Sequence, residues 1–562
     1  MKSLKAFLGL LSLVAVCSSN IIAQPLSTRT SLTHADTLRG TYGLSRNWWN
    51  VLKYDLHVKF NLNDSTISGF NVIQLKVTGK GTDLQIDLQE PLIIDSILYS
   101  VDESRSKKIE QNKIIKNGNA YFIPSSYFSV PQTNFPLVYL TVYYHGKPVI
   151  AKRPPWDGGL IWKKDAKQNP WVSIACQGLG ASVWYPCKDH QQDEPDSAEM
   201  HITIPDSLVC VGNGKMRGKT VNADGTATYD WAVVNPINNY TIIPSIGKYV
   251  HFGEVYKGEK GNLNMDYWVL RYNLDKAKKH FADATRMMKA FEYWFGPYPF
   301  YEDGYKLVES PHLGMEHQSA TAYGNGYQNG YLGRDLSGSG WGLKWDFIII
   351  HESGHEWFAN NITTKDIADM WVHEGFTNYS ETLFIEYYYG KEAATAYISG
   401  IRKNIANDIP VIGIYDVNKE GSGDMYAKGA NMLHTIRQVI NNDSLFRNIL
   451  RGLNKQFYHQ TVTSANIETY ISKQSGINFS KVFDQYLRTV QIPVLEYKIN
   501  NQQLSYRFTN CIKGFNLPLK TSVKSQEWIR PTEEWQTIKT SQEEAAKFSI
   551  DPNFYIKTKK VD

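Results

Sequence analysis

Two histidines four residues apart, His351 and His355, constrain the fold of this chain more than any other feature. On an α-helix, this spacing places both imidazoles on one face, one turn apart, where they can bind the same metal ion. The carboxylate of Glu352 would then lie beside the metal, where it can take a proton from bound water. Apolar residues on both sides of the motif favour a helix that is buried against a core.

Glu374 follows His355 after eighteen intervening residues, which is far enough to lie on a second helix. Two imidazoles, one carboxylate and an open coordination position form a hydrolytic zinc site. The pattern predicts one Zn²⁺ per chain, with His351, His355 and Glu374 as ligands and Glu352 as general base. A buried helix with histidines that are only hydrogen-bonded is the alternative. His373 is a competing ligand, which we expect to face away from the metal.

Length and charge set broad limits on the kind of protein. A chain of 562 residues is long enough for about two to four domains with apolar cores. Its formal net charge of +5 comes from 60 basic and 55 acidic residues, without a block of Lys or Arg. Composition therefore gives no support for nucleic-acid or membrane-surface binding.

The first 23 residues predict a signal peptide. A basic start is followed by the apolar run Ala6–Val16 and a candidate cleavage site at Ile21–Ala23. The run is too short to span a bilayer, and no later stretch is typical of a transmembrane helix. We therefore expect an exported protein, periplasmic or extracellular, without an integral membrane segment after signal removal. Lipid attachment at Cys17 is the alternative, although Val16 is a poor fit where a small residue is required.

Four cysteines follow the predicted signal peptide, and their spacing matches no zinc-finger pattern: Cys176, Cys187, Cys210 and Cys511. An oxidising compartment permits a disulfide, but a core of this size does not need one. Cys176 with Cys187 is the first pair to test, and free buried thiols are the alternative.

Hydrophobic periodicity divides the remaining chain into regions. Alternation, as in Tyr54–Phe60 and Leu137–Tyr144, predicts an N-terminal β domain over residues 46–252, after a linker at 24–45. Helical periodicity begins with an amphipathic helix at Asp275–Tyr293 and predicts a mostly helical domain over 253–492. Alternation returns over 493–562, which is long enough only for a small β-sandwich-like domain. The predicted fold class is multidomain α+β.

Three motifs in order resemble those of the gluzincin zinc aminopeptidases, the aminopeptidase N family that also includes leukotriene hydrolase. One is the metal motif, in which Glu374 is followed by glycine. Another is Gly314–His317, which is similar to the family's Gly-x-Met-Glu-Asn exopeptidase motif. The third is Tyr426–Ala430, which is similar to the Tyr-x-Lys-Gly-Ala segment with the family's catalytic tyrosine. Fainter similarities occur at Tyr54–Leu56, Gln177, Tyr185–Cys187 and Ile550–Asn553.

The resemblance implies a saddle-like N-terminal β-sheet domain, a thermolysin-like catalytic domain and an aminopeptidase that acts on peptides with a free amino terminus. It implies that Glu316 binds the substrate ammonium group with help from Gln177. Tyr426 would stabilise the oxyanion. Gly314 and Met315 would form an edge strand that pairs with extended substrate. We expect a monomer.

Two residues depart from the family pattern. His317 stands where asparagine is usual, and an imidazole that becomes charged near neutral pH would weaken ammonium binding in acid. Ala359 replaces a glycine that is common after the Trp-Phe pair, and we expect this change to be minor.

Two other functions fit the same residues. A thermolysin-like endopeptidase shares the zinc chemistry, but Glu316 argues against it, because an ammonium-binding carboxylate disfavours internal segments. An inactive family member acting as a binding scaffold is the other alternative, although every ligand and the base are present. The preferred N-terminal residue and peptide length cannot be read from the sequence. They depend on Gln177, on residues near Met425 and on the loop Tyr323–Tyr331. We expect this loop to form a flexible aromatic rim of the cleft, and an ordinary surface loop is the alternative.

Overall fold

The computed structural model describes residues 31–101, 106–128 and 137–562. The predicted signal peptide and Cys17 lie outside these ranges. The described chain has a β-rich N-terminal region, a helical middle region and a C-terminal region built on a β-sheet, which confirms the multidomain α+β fold class. None of its helices combines the length and hydropathy needed to cross a bilayer.

The N-terminal region consists mainly of strands and follows a short helix, α1 (His34–Gly40), which lies in the segment predicted as a linker. Its strands are β1 (Trp49–Asn61), β2 (Thr66–Val77), β3 (Asp83–Asp87), β4 (Ile93–Ser100), β5 (Lys107–Lys108), β6 (Ile115–Asn117), β7 (Ala120–Pro124), β8 (Leu137–Gly146), β9 (Gly159–Lys164), β10 (Pro170–Ala175), β11 (Ser197–Pro205), β12 (Val209–Val211), β13 (Lys215–Val221), β14 (Thr226–Val233) and β15 (Ser245–Gly247).

These strands form three sheets. The largest has eight strands in the order β13-β14-β11-β1-β2-β8-β4-β5, and a four-stranded sheet has the order β12-β15-β10-β9. The third sheet has the order β3-β7-β6. Alternate residues of β1 face the core, as Tyr54, Leu56 and Val58 do, while Asp55 and His57 lie on the outer face.

The middle region combines a five-stranded sheet with most of the helices. The strands are β16 (Tyr249–Gly258), β17 (Gly261–Leu270), β18 (Tyr305–Glu309), β19 (Gly314–Met315) and β20 (Thr321–Tyr323), with the two-stranded pair β21 (Ile362–Thr364) and β22 (Gln460–Val462). The helices are α2 (Leu274–His280), α3 (Ala282–Phe295), α4 (Phe347–Gly354), α5 (Trp371–Tyr389), α6 (Lys391–Gly400), α7 (Ala427–Ile440), α8 (Asp443–Gln456), α9 (Ser464–Ser475) and α10 (Ser480–Arg488).

The amphipathic helix predicted at Asp275–Tyr293 is broken into α2 and α3 at Phe281. Phe281 has ψ near 2° and is almost fully buried. Its ring packs against Tyr267, Tyr323 and Tyr327. Because the aromatic cluster lies under the break, packing between distant residues outweighs the local helical periodicity.

The C-terminal region forms a four-stranded sheet in the order β27-β24-β23-β28 and a two-stranded pair, β25-β26. Its elements are β23 (Val494–Asn500), β24 (Gln503–Thr509), β25 (Leu519–Lys520), β26 (Trp528–Ile529), β27 (Gln536–Lys539), α11 (Gln542–Ala546) and β28 (Lys557–Lys560). Leu495, Leu504 and Phe508 belong to the same apolar core as the helices of the middle region. The C-terminal sheet therefore packs directly on the helical region.

Candidate active site

Helix α4 carries His351 and Glu352 of the metal motif, and His355 follows it directly as the C-cap residue. Asp346 caps its N-terminus, since a carboxylate oxygen accepts a hydrogen bond from the Ile349 amide at 3.1 Å. Ile348, Ile349 and Ile350 are buried, which holds the helix in the core. The helix therefore presents its His351 and His355 side chains to a cavity at a fixed orientation.

The three predicted metal ligands meet in one place. Glu374, in the first turn of α5, lies with Oε2 at 3.6 Å from His351 Nε2 and at 3.4 Å from His355 Nε2. The three ligating atoms all lie within 4.8 Å of one another. Glu374 Oε2 is buried and has no hydrogen-bond partner among the described residues. Two imidazoles around an unsatisfied buried carboxylate oxygen fit a zinc ion.

Outer hydrogen bonds orient both imidazoles. His351 Nδ1 donates to Glu381 Oε1 at 2.7 Å, and His355 Nδ1 donates to the Phe358 carbonyl at 3.1 Å. Each bond leaves the Nε2 lone pair free to face the metal position. Glu381 is held in turn by the Tyr397 hydroxyl at 2.6 Å. The sequence reasoning missed Glu381, although it follows Glu374 by seven residues and therefore lies on the same face of α5.

His373 is not part of the ligand set. It is fully buried, and its Nε2 accepts a hydrogen bond from the Thr364 amide at 2.8 Å. As expected, it faces away from the metal position. The hydrogen bond from Thr364 to His373 holds the segment between α4 and α5 in place.

Glu352 lies next to an edge strand. Strand β19, formed by Gly314 and Met315, is the last strand of the five-stranded sheet, as predicted. A Cβ on Gly314 would lie 2.5 Å from Glu352 Oε1, so only glycine leaves room for this carboxylate. Burial is the largest cause that raises the pKa of Glu352, to about 7.

Glu316 is buried beside the metal ligands. Its carboxylate lies within 4.8 Å of ligand atoms of both Glu352 and His355. Gln177, just after β10, donates an amide hydrogen bond to Glu316 Oε1, so the structure brings these two predicted residues together. The Tyr240 hydroxyl donates to the same oxygen at 3.0 Å. No sequence motif points to Tyr240, which is brought to the site by the turn between β14 and β15.

Tyr426 lies immediately before α7 and lines the cavity. Its ring stacks on that of His351, with the two ring centroids 6.0 Å apart. Burial, then the nearby carboxylates, raise the pKa of Tyr426 well above its usual value, so the hydroxyl keeps its proton and can donate.

Two glycines bring Tyr426 close to the metal ligands. Helices α5 and α7 cross at Gly375 and Gly429, where a Cβ on Gly429 would lie 3.0 Å from Gly375 Cα. The glycines after Glu374 and Lys428 therefore permit the close approach of the two helices. Their position explains in physical terms why both motifs contain a glycine.

The expectation that His317 becomes charged near neutral pH is wrong. The ring is fully buried, and burial, followed by the proximity of His312, lowers the pKa of His317 well below its usual value. Neither ring nitrogen has a hydrogen-bond partner within the described ranges. His317 is therefore neutral at physiological pH and adds no positive charge beside Glu316.

The alanine at position 359 was expected to be a minor departure from the family's glycine, but its backbone conformation shows that it is not. It is fully buried and has φ 150° and ψ −52°, a conformation that L-residues rarely adopt. The position lies in a wide turn at Glu356–Asn360, directly after the metal motif. Replacing the family's glycine with alanine therefore places backbone strain next to His355.

The tyrosines of the loop Tyr323–Tyr331 anchor it to the core and do not form an aromatic rim, while Gly326, Gln328 and Asn329 are exposed. Tyr323 is fully buried, with its hydroxyl donating to Asp346 Oδ2 at 2.8 Å, and Tyr327 packs against its ring. Tyr331 alone of these three tyrosines lines the cavity, where its ring packs against Phe347.

The four cysteines of the described chain carry free thiols, so the candidate pair Cys176–Cys187 is not bridged.

The site opens into a cavity of roughly 1040 Å³, which includes its mouth. Gln177 and Trp156 line it from the N-terminal region, and residues of the middle region line the rest. Leu336, Phe347 and Ile401 form an apolar part of the wall. A cleft between two regions, apolar with a few converging polar groups, is typical of a small-ligand or peptide site.

Comparison with known proteins identifies the middle region. Residues 281–486 match the sequence model described as the Peptidase family M1 domain. These residues form a peptidase family M1 domain. The M1 domain contains the metal motif and Tyr426, which confirms the resemblance drawn from the motifs.

Curated relatives match over much of the chain at low identity. Tricorn protease-interacting factor F2 of Thermoplasma acidophilum is 20% identical over 84% of this chain and 58% of its own length. Leukotriene A-4 hydrolase of Xenopus laevis is 22% identical over 56% of this chain and 52% of its own. Aminopeptidase N of Lactobacillus helveticus is 25% identical over 79% and 51%. This chain thus spans little more than half the length of these three relatives.

A solved structure shares the fold of most of this chain. The M1 zinc metallopeptidase of Deinococcus radiodurans, bound to a Tyr-Ser-Ala substrate, superposes with a TM-score of 0.65 and 18% identity. The match covers 82% of this chain and 98% of that one. At this identity the likeness establishes the fold.

Proposed function

We propose that this chain is a zinc-dependent aminopeptidase that hydrolyses the N-terminal bond of peptides. One observation carries the proposal: the buried carboxylate of Glu316 lies within 4.8 Å of the ligand atoms of His355, a metal ligand, and of Glu352, the predicted base. A free α-ammonium group bound to Glu316 would place the first peptide carbonyl next to the metal position. The names of the relatives support the same reaction, since they include aminopeptidase N.

The reaction divides among three parts of this chain: the metal ligands, Glu352 and Tyr426. His351, His355 and Glu374 would hold one zinc ion, which lowers the pKa of a bound water and polarises the scissile carbonyl. Glu352 takes the proton of the attacking water and passes it to the leaving amine. The Tyr426 hydroxyl donates to the oxyanion.

Substrate is oriented by its terminus and its backbone. Glu316, held by Gln177 and Tyr240, binds the α-ammonium group in a site with little access to water, where a charge-assisted hydrogen bond is strong. The free edge of β19 offers backbone groups to an extended peptide. Together these contacts fix the N-terminal residue and leave the rest of the peptide in the cleft.

A pair of measurements tests the proposal. Purified protein should contain one zinc ion at the active site and cleave peptides with a free amino terminus, whereas N-acetylated forms of the same peptides should resist cleavage. Equal cleavage of both forms would favour the thermolysin-like endopeptidase. In the Glu352→Gln variant we expect retained zinc and a loss of activity of at least about a hundredfold. Bound zinc without peptide hydrolysis in the wild type would favour the binding scaffold.

Export to a periplasmic or extracellular space is part of the proposal, and it rests on residues 1–23. Cell fractionation and N-terminal sequencing of the mature protein test it. A mature terminus near Gln24 supports signal cleavage. A mature protein that begins at a lipid-modified Cys17 would instead be anchored to a membrane. Gel filtration tests the expected monomer.

A further inference from the structure

The outer face of the eight-stranded sheet carries two imidazoles and a carboxylate that converge. Asp55 and His57 lie on β1, and His201 lies on the neighbouring parallel strand β11, where it is directly in register with His57. Because Leu56 and Ile202 face the core, their neighbours in the chain face outward. The three side chains therefore share one face of the sheet, opposite to the face that packs in the core.

The ligand atoms of these residues lie at metal-site separations. Asp55 Oδ1 is 3.1 Å from His57 Nε2 and 3.2 Å from His201 Nε2, and all three atoms lie within 4.8 Å of one another. Asp55 Oδ1 is inaccessible to solvent, and neither of these contacts is aligned as a hydrogen bond. Two ring nitrogens thus face one carboxylate oxygen that a bound cation would satisfy.

A further carboxylate orients one of the rings. Asp230 on β14 accepts a hydrogen bond from His201 Nδ1 at 2.6 Å. A histidine that donates from Nδ1 to a carboxylate presents the Nε2 lone pair to a metal, as histidine ligands in metal sites generally do. Glu199 Oε2, 3.8 Å from His201 Nε2, is available as a fourth ligand.

The charge around the cluster also suits a divalent cation. Asp55, Glu199 and Asp230 contribute three carboxylates, and Lys53, which pairs with Glu199 at 2.9 Å, contributes one positive charge. Contact with Asp55 and then with Asp230 raises the pKa of His201 to about 9, so a bound ion displaces a proton from this ring, and two negative charges then remain. A divalent ion would balance them.

We propose that Asp55, His57 and His201 form a second metal site, separate from the active site, that takes a divalent ion such as Zn²⁺. Two imidazoles with one or two carboxylates suit the borderline ions Zn²⁺, Co²⁺, Ni²⁺ and Cu²⁺. The ion joins β1 to β11, two strands that are far apart in sequence. It stabilises the sheet and takes no part in peptide hydrolysis.

Binding requires one ring to turn. The rings of His57 and His201 stack with centroids 4.2 Å apart and planes at 15°, so their lone pairs do not yet meet at one point. His57 is the more exposed of the two rings, with its side chain 38% exposed against 25% for His201, and it stacks between His201 and Phe70. Rotation about its Cβ–Cγ bond brings Nε2 towards the ion.

Metal stoichiometry tests the site without reference to activity. The proteins are equilibrated at pH 8 with micromolar free Zn²⁺, freed of excess by gel filtration and analysed by plasma mass spectrometry. We expect two zinc ions per wild-type chain and one in the His57→Ala/His201→Ala double variant. His145→Ala is the matched control, because it removes another exposed imidazole of the same sheet, paired with Asp95 at 2.7 Å. The His145→Ala variant should retain two zinc ions.

Two results would overturn the site: one zinc ion in the wild type, or two in the double variant. Asp55→Asn serves as the second variant if the double variant does not fold, and it should bind the second zinc ion at least tenfold more weakly than the wild type. Added Zn²⁺ should raise the Tm of the wild type and of His145→Ala more than that of the Asp55 variant. An equal rise in all three would also count against the site.

Discussion

At the scale of single residues, Ala359 is the position where the chain stores strain. A non-glycine residue in a sparsely populated backbone region costs about 1–3 kcal/mol, and the fully buried surroundings hold Ala359 there. We predict that Ala359→Gly raises the free energy of unfolding by about 1 kcal/mol, because the relief of strain exceeds the extra backbone entropy of glycine. Urea unfolding measures the difference.

A matched substitution separates strain from a general effect of glycine. Ala290 is equally buried but lies inside α3, so Ala290→Gly should lower the free energy of unfolding by about 1 kcal/mol or more. If both variants are destabilised, Ala359 is not strained.

Tyr240 tests the ammonium site at the same scale. Its hydroxyl donates to Glu316 Oε1, so Tyr240→Phe removes a hydrogen bond to a charged group, which is worth about 1.5–3 kcal/mol. We predict that KM for aminoacyl-fluorophore substrates rises roughly tenfold or more while kcat changes little, since Tyr240 is placed at the terminus of the substrate. Zinc content should stay constant. A fall in kcat with unchanged KM would contradict a role in binding the ammonium group.

At the scale of elements, the crossing of α5 and α7 places Tyr426 near His351, with the two ring centroids 6.0 Å apart. Each helix contributes one glycine, and a Cβ on Gly429 would press on Gly375 Cα at 3.0 Å. We predict that Gly429→Ala separates the helices and moves the Tyr426 hydroxyl, which lowers kcat by about a hundredfold. Overpacking should also reduce stability by about 1–3 kcal/mol.

Kinetics together with metal analysis check this prediction. Because His351 and His355 belong to the α4 segment and Glu374 to α5, a displacement of α7 should leave zinc bound in Gly429→Ala. Gly79→Ala, whose Cβ would meet only ordinary contacts at 3.5 Å, is the control and should leave kcat unchanged. Full activity in Gly429→Ala would show that the crossing tolerates a methyl group.

At the scale of the whole molecule, the C-terminal sheet is joined to the helical region through buried polar contacts. His434 on α7 lies with Nε2 at 2.9 Å from Asn553 Oδ1, and Thr435 Oγ1 accepts a hydrogen bond from the Tyr555 amide at 3.0 Å. The Tyr486 hydroxyl donates to the Tyr555 carbonyl. The region from Asn553 to Tyr555 thus connects the two parts of the molecule.

Acid should weaken this junction. Burial lowers the pKa of His434 to about 3, so the unfolded state, with a pKa near 6.5, binds a proton that the folded state does not. The stability from the neutral ring is complete above about pH 6.5 and is lost as the pH falls towards 3. When the pH falls from 7.5 to 5.5, the free energy of unfolding of His434→Gln should therefore fall by about 1.4 kcal/mol less than that of the wild type. Equal losses in urea unfolding would show that His434 does not titrate as a buried neutral group.

Much of the fold and of the active site could be predicted from the sequence because the determining patterns are local. Helical spacing alone places His351 and His355 on one face, and strand alternation separates Tyr54 and Leu56 from Asp55. The resemblance of their motifs to those of the gluzincin aminopeptidases implied that Glu316 and Tyr426 lie near the metal ligands. The break at Phe281 was missed because its cause is an aromatic cluster formed by distant residues.

The sequence by itself determined that His351 and His355 share one face and which regions are mainly strand or mainly helix, since both follow from the short repeat of the backbone. Only the tertiary structure decided the neutral state of His317, the strain at Ala359 and the hydrogen bond from Tyr240 to Glu316. It alone brings His201 beside Asp55 on the outer sheet face. Burial, backbone angles and contacts between distant residues depend on how the whole chain packs, and no local pattern encodes them.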